Sequence, residues 1–147
     1  MPIVWQIPGR GAILLAINKR RCFAPHMGRR IFHITNLIFH SLRRSWSVSG
    51  MADEIKMSAP HFQKRFKQVT GSTPIAYLND LRLEKARELL NDDSCFLQIK
   101  EIGNQVGLVN DSHFTRDFKK KFGVTPNEYR KQHWKHEHLI SPDGQEW

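Results

Sequence analysis

The sequence predicts an all-α protein built from two tandem helix-turn-helix subdomains joined by a linker helix. Two observations carry that expectation. The segment from His61 to Tyr77, HFQKRFKQVTGSTPIAY, returns 52 residues later between His113 and Tyr129 as HFTRDFKKKFGVTPNEY, with no gap and eight identities in seventeen positions. Chance supplies about one such identity, so the two segments are an internal duplication. The same apolar spacing precedes each copy: Val48, Met51 and Ile55 in the first, Ile99, Ile102 and Val106 in the second. Positions i, i+3 and i+7 mark one face of a short helix. A tight turn follows each, then a second helix that carries Phe62 and Phe66, or Phe114 and Phe118, inward. Two short helices across such a turn make a helix-turn-helix.

The chain divides on this reading into an arm (1–30), a first subdomain (31–71), a linker helix and turn (72–94), a second subdomain (95–134) and a tail (135–147). The arm has no acidic residue, three prolines and several arginines, and reads as weakly ordered and basic, with a short helix near Ile13. Residues 31–44 carry apolar side chains at 31, 34, 37, 38 and 42, a helical stripe closed by Arg43 and Arg44, which suit the carboxyl end of the helix dipole. Ser47 is placed to cap the helix from Val48 to Ile55. Lys56 then falls in the turn, where a left-handed conformation is expected. Gly107 fills the matching place and adopts that conformation without steric cost. Ser58 is expected to cap the helix from Ala59 to Thr70, with Pro60 tolerated in its first turn and Gly71 ending it.

Thr73-Pro74 opens the linker helix, which runs to about Asn91 and offers Ile75, Leu78, Leu81, Ala86, Leu89 and Leu90 for burial. About eighteen residues make a rod of about 27 Å. Two DNA-reading units on one face of a duplex stand about 34–36 Å apart, a span that such a rod and its end turns accommodate. After the polar turn Asn91-Asp92-Asp93-Ser94 come helices from Ile99 to Val106 and from Asp111 to Phe122, the latter capped by Asn110. Thr125-Pro126-Asn127-Glu128 is a capping box that opens a last helix to about Trp134.

Composition narrows the function. The net charge of +9 and pI near 9.9 favour a polyanionic partner or simple solubility. At 147 residues the chain can bury roughly two-thirds of its unfolded surface, enough for a core without staples. Cys22 and Cys95 form no C-x-x-C pair, which fits a reduced intracellular protein. The apolar run from Ala12 to Ile17 is too short to span a bilayer, and its flanks do not suit a signal peptide. A cytoplasmic, nucleoid-associated location is expected, with no membrane partner.

From about Ile31 to Trp134 the chain resembles the DNA-binding domain of AraC/XylS-type bacterial transcription regulators. The second copy carries most of the resemblance, in IKEIGNQVGL (99–108) and SHFTRDFKKKFGVTPNEYR (112–130), and LRLEKARELL (81–90) is similar to the family's linker helix. Lys56 in place of the turn glycine and Gln98 in place of a better helix cap are departures. The resemblance implies a homeodomain-like, all-α domain of about seven helices, with one recognition helix in each of two adjacent major grooves. Members usually carry a separate effector-sensing or dimerisation domain, for which the thirty residues before Ile31 are too few. A sequence-specific regulator that binds double-stranded DNA as a monomer is therefore expected. The alternative is a truncated or stand-alone module that works through RNA polymerase or a full-length relative.

With the phenylalanines turned inward, the outward stripe of the first recognition helix is Ala59, Pro60, Gln63, Lys64 and Lys67. That of the second is Asp111, Ser112, Thr115, Arg116 and Lys119. Gln pairs bidentately with adenine, Arg or Lys with guanine O6 and N7, and Thr can touch a thymine methyl. Arg116 leads the candidate base readers, then Gln63, with Lys64, Thr115, Ser112, Pro60 and Asp111 beside them. Lys67, Lys119, Lys120, Ser58 and Asn110 are the candidate phosphate contacts. Ordinary solvated helix surface, with Ser58 and Asn110 as plain caps, is the competing account.

His61 and His113 repeat, but each precedes a core phenylalanine, so a packed or phosphate-touching role suits them better than a metal. The set His133, His136 and His138 lacks a recognised ligand spacing. Cys95 with His113 is the one thin nucleophile–base candidate, with no phosphate loop or paired acids beside it. Neither catalysis, a metal nor a cofactor is expected.

Overall fold

The computed structural model describes residues 25–92 and 94–134. The arm before Pro25 with its helix near Ile13, Cys22, Asp93, His136, His138 and the tail lie outside the described residues. Seven helices run through the described residues: α1 Pro25–His40, α2 Val48–Glu54, α3 Ala59–Thr70, α4 Pro74–Leu90, α5 Ile99–Val106, α6 Asp111–Phe122 and α7 Pro126–Trp134. No strand occurs among them. The described residues fall into two compact units, one of 25–38 and 46–76, the other of 39–45, 77–92 and 94–134.

In the first unit, α1 buries Ile31, Ile34 and Ile38, three members of the expected stripe, while Leu37 is half-buried. Thr35 is also buried, and its hydroxyl donates to the Phe32 carbonyl at 2.9 Å. The helix differs from expectation at both ends. It begins at Pro25 rather than Ile31, so six positions of the expected arm are helical, and a proline suits a helical first turn, whose amides lack intrahelical acceptors. It ends at His40 rather than Arg44, which leaves Arg43 and Arg44 exposed beyond its last turn.

Short side chains set the next turns. Ser47 caps α2, its Oγ accepting from the Gly50 amide at 3.0 Å. Lys56 is the sole non-glycine residue with positive φ among those described, at 52°. α2 packs on α3, burying Met51, Ala52, Ile55, Phe62 and Phe66, with the two phenylalanine rings edge-on at 5.4 Å. Ser58 has the extended backbone of a cap, but its side chain makes no capping bond, contrary to expectation. Pro60 lies in the first turn and has no N–H, which removes one donor that a cap would serve.

In the second unit, Leu83, Ala86 and Leu90 of α4 meet Ile102 and Val106 of α5 and Phe114 and Phe118 of α6. Leu89, Cys95, Leu97, Leu108, Phe122 and Tyr129 pack around this core. Leu78 and Leu81 are buried as expected, whereas Ile75 is 37% exposed. Leu83, absent from the expected set, is buried because α4 is covered on more than one side. Asn110 caps α6 through its Oδ1, which accepts from the His113 amide at 2.9 Å. The Thr125–Glu128 box forms as expected: Glu128 accepts from the Thr125 amide and hydroxyl at 2.8 and 2.9 Å, and Thr125 Oγ1 accepts from the Glu128 amide at 3.3 Å. At α5, Glu101 serves the Gln98 amide at 2.7 Å and so supplies part of the cap that Gln98 alone lacks.

Arg82 binds the turn that follows α1. Its Nε donates to the Leu42 carbonyl and its Nη2 to the Arg44 carbonyl, both at 2.9 Å. These carbonyls, which no helix pairs, are thus satisfied by a side chain of α4. Burial lowers the Arg82 pKa from its ordinary value. Gly107 sits in the same crevice at φ 89°, and a Cβ there would lie 2.7 Å from the Leu42 oxygen and 3.0 Å from the Arg82 guanidinium. Lys56, its counterpart, is exposed, so its side chain has room. No described helix is long and apolar enough to cross a membrane.

Candidate nucleic-acid interface

Buried phenylalanines fix which face α3 and α6 turn outward. With Phe62 and Phe66 inward, α3 exposes Pro60, Gln63, Lys64 and Lys67, with Ser58 exposed just before it and Ala59 half-buried. With Phe114 and Phe118 inward, α6 exposes Asp111, Ser112, Arg116, Lys119 and Lys120, with Asn110 exposed ahead of them and Thr115 half-buried. Every candidate residue therefore reaches the surface at least in part. Pro60, Lys64 and Lys67 on α3, and Ser112, Arg116 and Lys119 on α6, share the face opposite the core, with Gln63 and Thr115 on its flank.

The two helices differ in how their polar side chains are held. On α3, Arg65 Nε donates to His61 Nε2 at 3.4 Å and its Nη1 to Gln68 Oε1 at 3.2 Å, a polar row along one flank. On α6, Arg116 Nε donates to Asp117 Oδ1 at 3.1 Å, while the Arg116 side chain remains 67% exposed. Sequence reasoning singled out neither Arg65 and Gln68 nor Asp117. The i, i+4, i+7 spacing of His61, Arg65 and Gln68 was legible, and so was an acid directly after Arg116.

The last turn of α6 holds Lys119, Lys120 and Lys121, but these serve different ends. Lys121 bonds to Asp80 and lies 3.0 Å from Glu84, both on α4, with only 22% of its side chain exposed. It is an internal tie, and Lys119 and Lys120 are left facing solvent. Asn110 is exposed, yet its Oδ1 is engaged in the cap; as an acceptor, that oxygen is unsuited to a phosphate.

His61 and His113 are both exposed rather than packed. Cys95 is half-buried against the core of the second unit. No cluster of three or more metal-ligating side chains occurs among the described residues. A helical face bearing Gln, Lys, Ser, Thr and Arg can bond base edges and phosphates.

A family model described as a helix-turn-helix domain matches residues 51–132. The chain is 36% identical over 89 residues to the HTH-type transcriptional regulator AlkR of Acinetobacter baylyi, covering 60% of this chain and 28% of AlkR. It is 32% identical over 108 residues to the RCS-specific HTH-type transcriptional activator RclR of Escherichia coli, covering 74% and 36%. Thus it spans only 28% and 36% of these two curated relatives. Among solved structures, an AraC-type transcriptional regulator from Chromobacterium violaceum matches with a TM-score of 0.66 at 27% identity, over 75% of this chain and 96% of that one. The duplicated helices, the exposed faces and these likenesses agree, and the chain belongs to the helix-turn-helix family of AraC/XylS-type transcription regulators.

Proposed function

We propose that the chain binds double-stranded DNA sequence-specifically as a monomer, regulating transcription by placing α3 and α6 in successive major grooves. The observation that carries this reading is the duplication of an exposed polar face. Gln63 and Lys64 on α3 occupy the places that Thr115 and Arg116 occupy on α6, each pair on a helix that buries two phenylalanines. Base discrimination falls to Arg116, Gln63, Lys64, Thr115 and Ser112. Pro60 and Asp111 shape the approach, because a proline ring has no donor and a carboxylate accepts only from cytosine N4 or its kind. Lys67, Lys119 and Lys120 hold phosphates, and their neutralisation of backbone charge makes affinity fall with salt.

Selection of bound sites from a pool of random duplexes tests the reading. It should enrich two short blocks of preferred bases about 10 base pairs apart, the spacing of adjacent major grooves on one face. Recovery of no enriched sequence, or of a single block unaffected by changes on α3, would overturn it.

A further inference from the structure

We propose that Asp117 is a positioning residue for base recognition, bracing Arg116 so that the outer edge of its guanidinium meets a guanine already oriented. This rests on the reading of α6 as a base-reading helix. The observation is the bond from Arg116 Nε to Asp117 Oδ1 at 3.1 Å, between side chains that are 67% and 39% exposed. Arginine has five N–H donors in a rigid plane. With Nε held by the carboxylate, the terminal Nη groups remain for the parallel pair of bonds that guanine O6 and N7 accept. A planar fork fixed at its inner nitrogen loses less freedom on binding than one swinging on a long chain.

The first unit lacks this device. Its matching pair, 52 residues earlier, is Lys64 and Arg65, a second cation where α6 has the acid, and Arg65 bonds to His61 and Gln68. The carboxylate has an opposing effect, since a negative charge on a face offered to DNA weakens attraction for every duplex. Its benefit must therefore appear in discrimination and not in affinity. In free solution an exposed pair of this kind contributes little. Once bases exclude water from it, the same pair is electrostatically stronger and holds its geometry.

Two opposite changes in one variant make the inference testable. Sites are selected from random duplexes with the intact chain, and the base pair read by Arg116 is identified as the one that Arg116→Ala stops discriminating. Against that site and its single-pair variants, Asp117→Ala should bind all duplexes more tightly. Its preference at the Arg116 base pair should nevertheless fall by about 3- to 10-fold, the range expected for re-ordering one freed side chain. Asp117→Asn, which keeps an acceptor oxygen, should retain more of that preference than Asp117→Ala. In an Arg116→Ala background, Asp117→Ala should change discrimination no further. Circular dichroism melts confirm that each variant is folded. A uniform gain in affinity with discrimination intact would overturn the inference and leave the proposed function standing. Failure of the intact chain to enrich any site would overturn both.

Discussion

At the residue scale, two matched turns answer the same backbone demand with different side chains. Lys56 and Gly107 both adopt positive φ, at 52° and 89°, but only Gly107 has a carbonyl and a guanidinium against it. Gly107→Ala should cost about 2–4 kcal/mol, combining left-handed strain with overpacking against Arg82. Lys56→Gly should instead stabilise by up to about 1 kcal/mol, because relief of strain slightly exceeds the added freedom of the unfolded chain. Urea denaturation of both variants decides the matter, and equal effects at the two sites would contradict the crowding seen only at Gly107. Side chains of one type also diverge in role. Lys119→Ala should weaken binding to all sequences alike and flatten the salt slope by about one, whereas Arg116→Ala should lose about 1–3 kcal/mol of discrimination at one base pair. Lys121→Ala should register chiefly as lost stability, since that side chain ties α6 to Asp80 and Glu84.

At the scale of elements, helix ends separate what could be read in the sequence from what could not. Ser47, Asn110 and the Thr125–Glu128 box are local signals, complete within four residues, and the structure forms each of them. The buried phenylalanine faces were equally legible, because period 3.6 and a duplication state them twice, and with them went the exposed stripe that makes up the candidate site. The bond from Arg82 to the Leu42 carbonyl, forty residues away in sequence, was hidden because a long-range pairing leaves no local signal, and Leu83 was missed because one-face periodicity fails for a helix covered on several sides. The side-chain bond at Asp117 was out of reach for another reason: adjacency in sequence does not specify a rotamer. The α7 box also gives a pH test. Bonds from the Thr125 amide and hydroxyl hold the Glu128 carboxyl below its ordinary value of 4.5. A depressed carboxylate stabilises fully above the unfolded value and loses that contribution as pH falls through the folded one. The Thr125 amide resonance should therefore shift with pH at a midpoint below 4.5, and Glu128→Gln should abolish the titration.

At the scale of the whole molecule, the duplication has one consequence that no single helix carries. The chain passes from the first unit to the second within α4, whose residues 74–76 belong to one and 77–90 to the other, and no break interrupts that helix. A flexible tether would let two DNA-reading units follow their half-sites to any face of the duplex, since effective concentration falls only slowly with linker span. A helical connection resists twisting, so under the proposed function the two blocks of a selected site must keep their helical phase. Inserting about 5 base pairs between them turns one block to the opposite face, and affinity should fall to the level of a site with one block destroyed. Inserting about 10 restores the face but adds about 34 Å, more than the whole length of α4, so binding should not recover. A linker that acted as a loose tether would instead tolerate both insertions nearly equally. Gel-shift titration of the selected site, the two insertions and the site with one block destroyed, with Gln63→Ala and Arg116→Ala assigning each block to its helix, would show which kind of connection α4 provides.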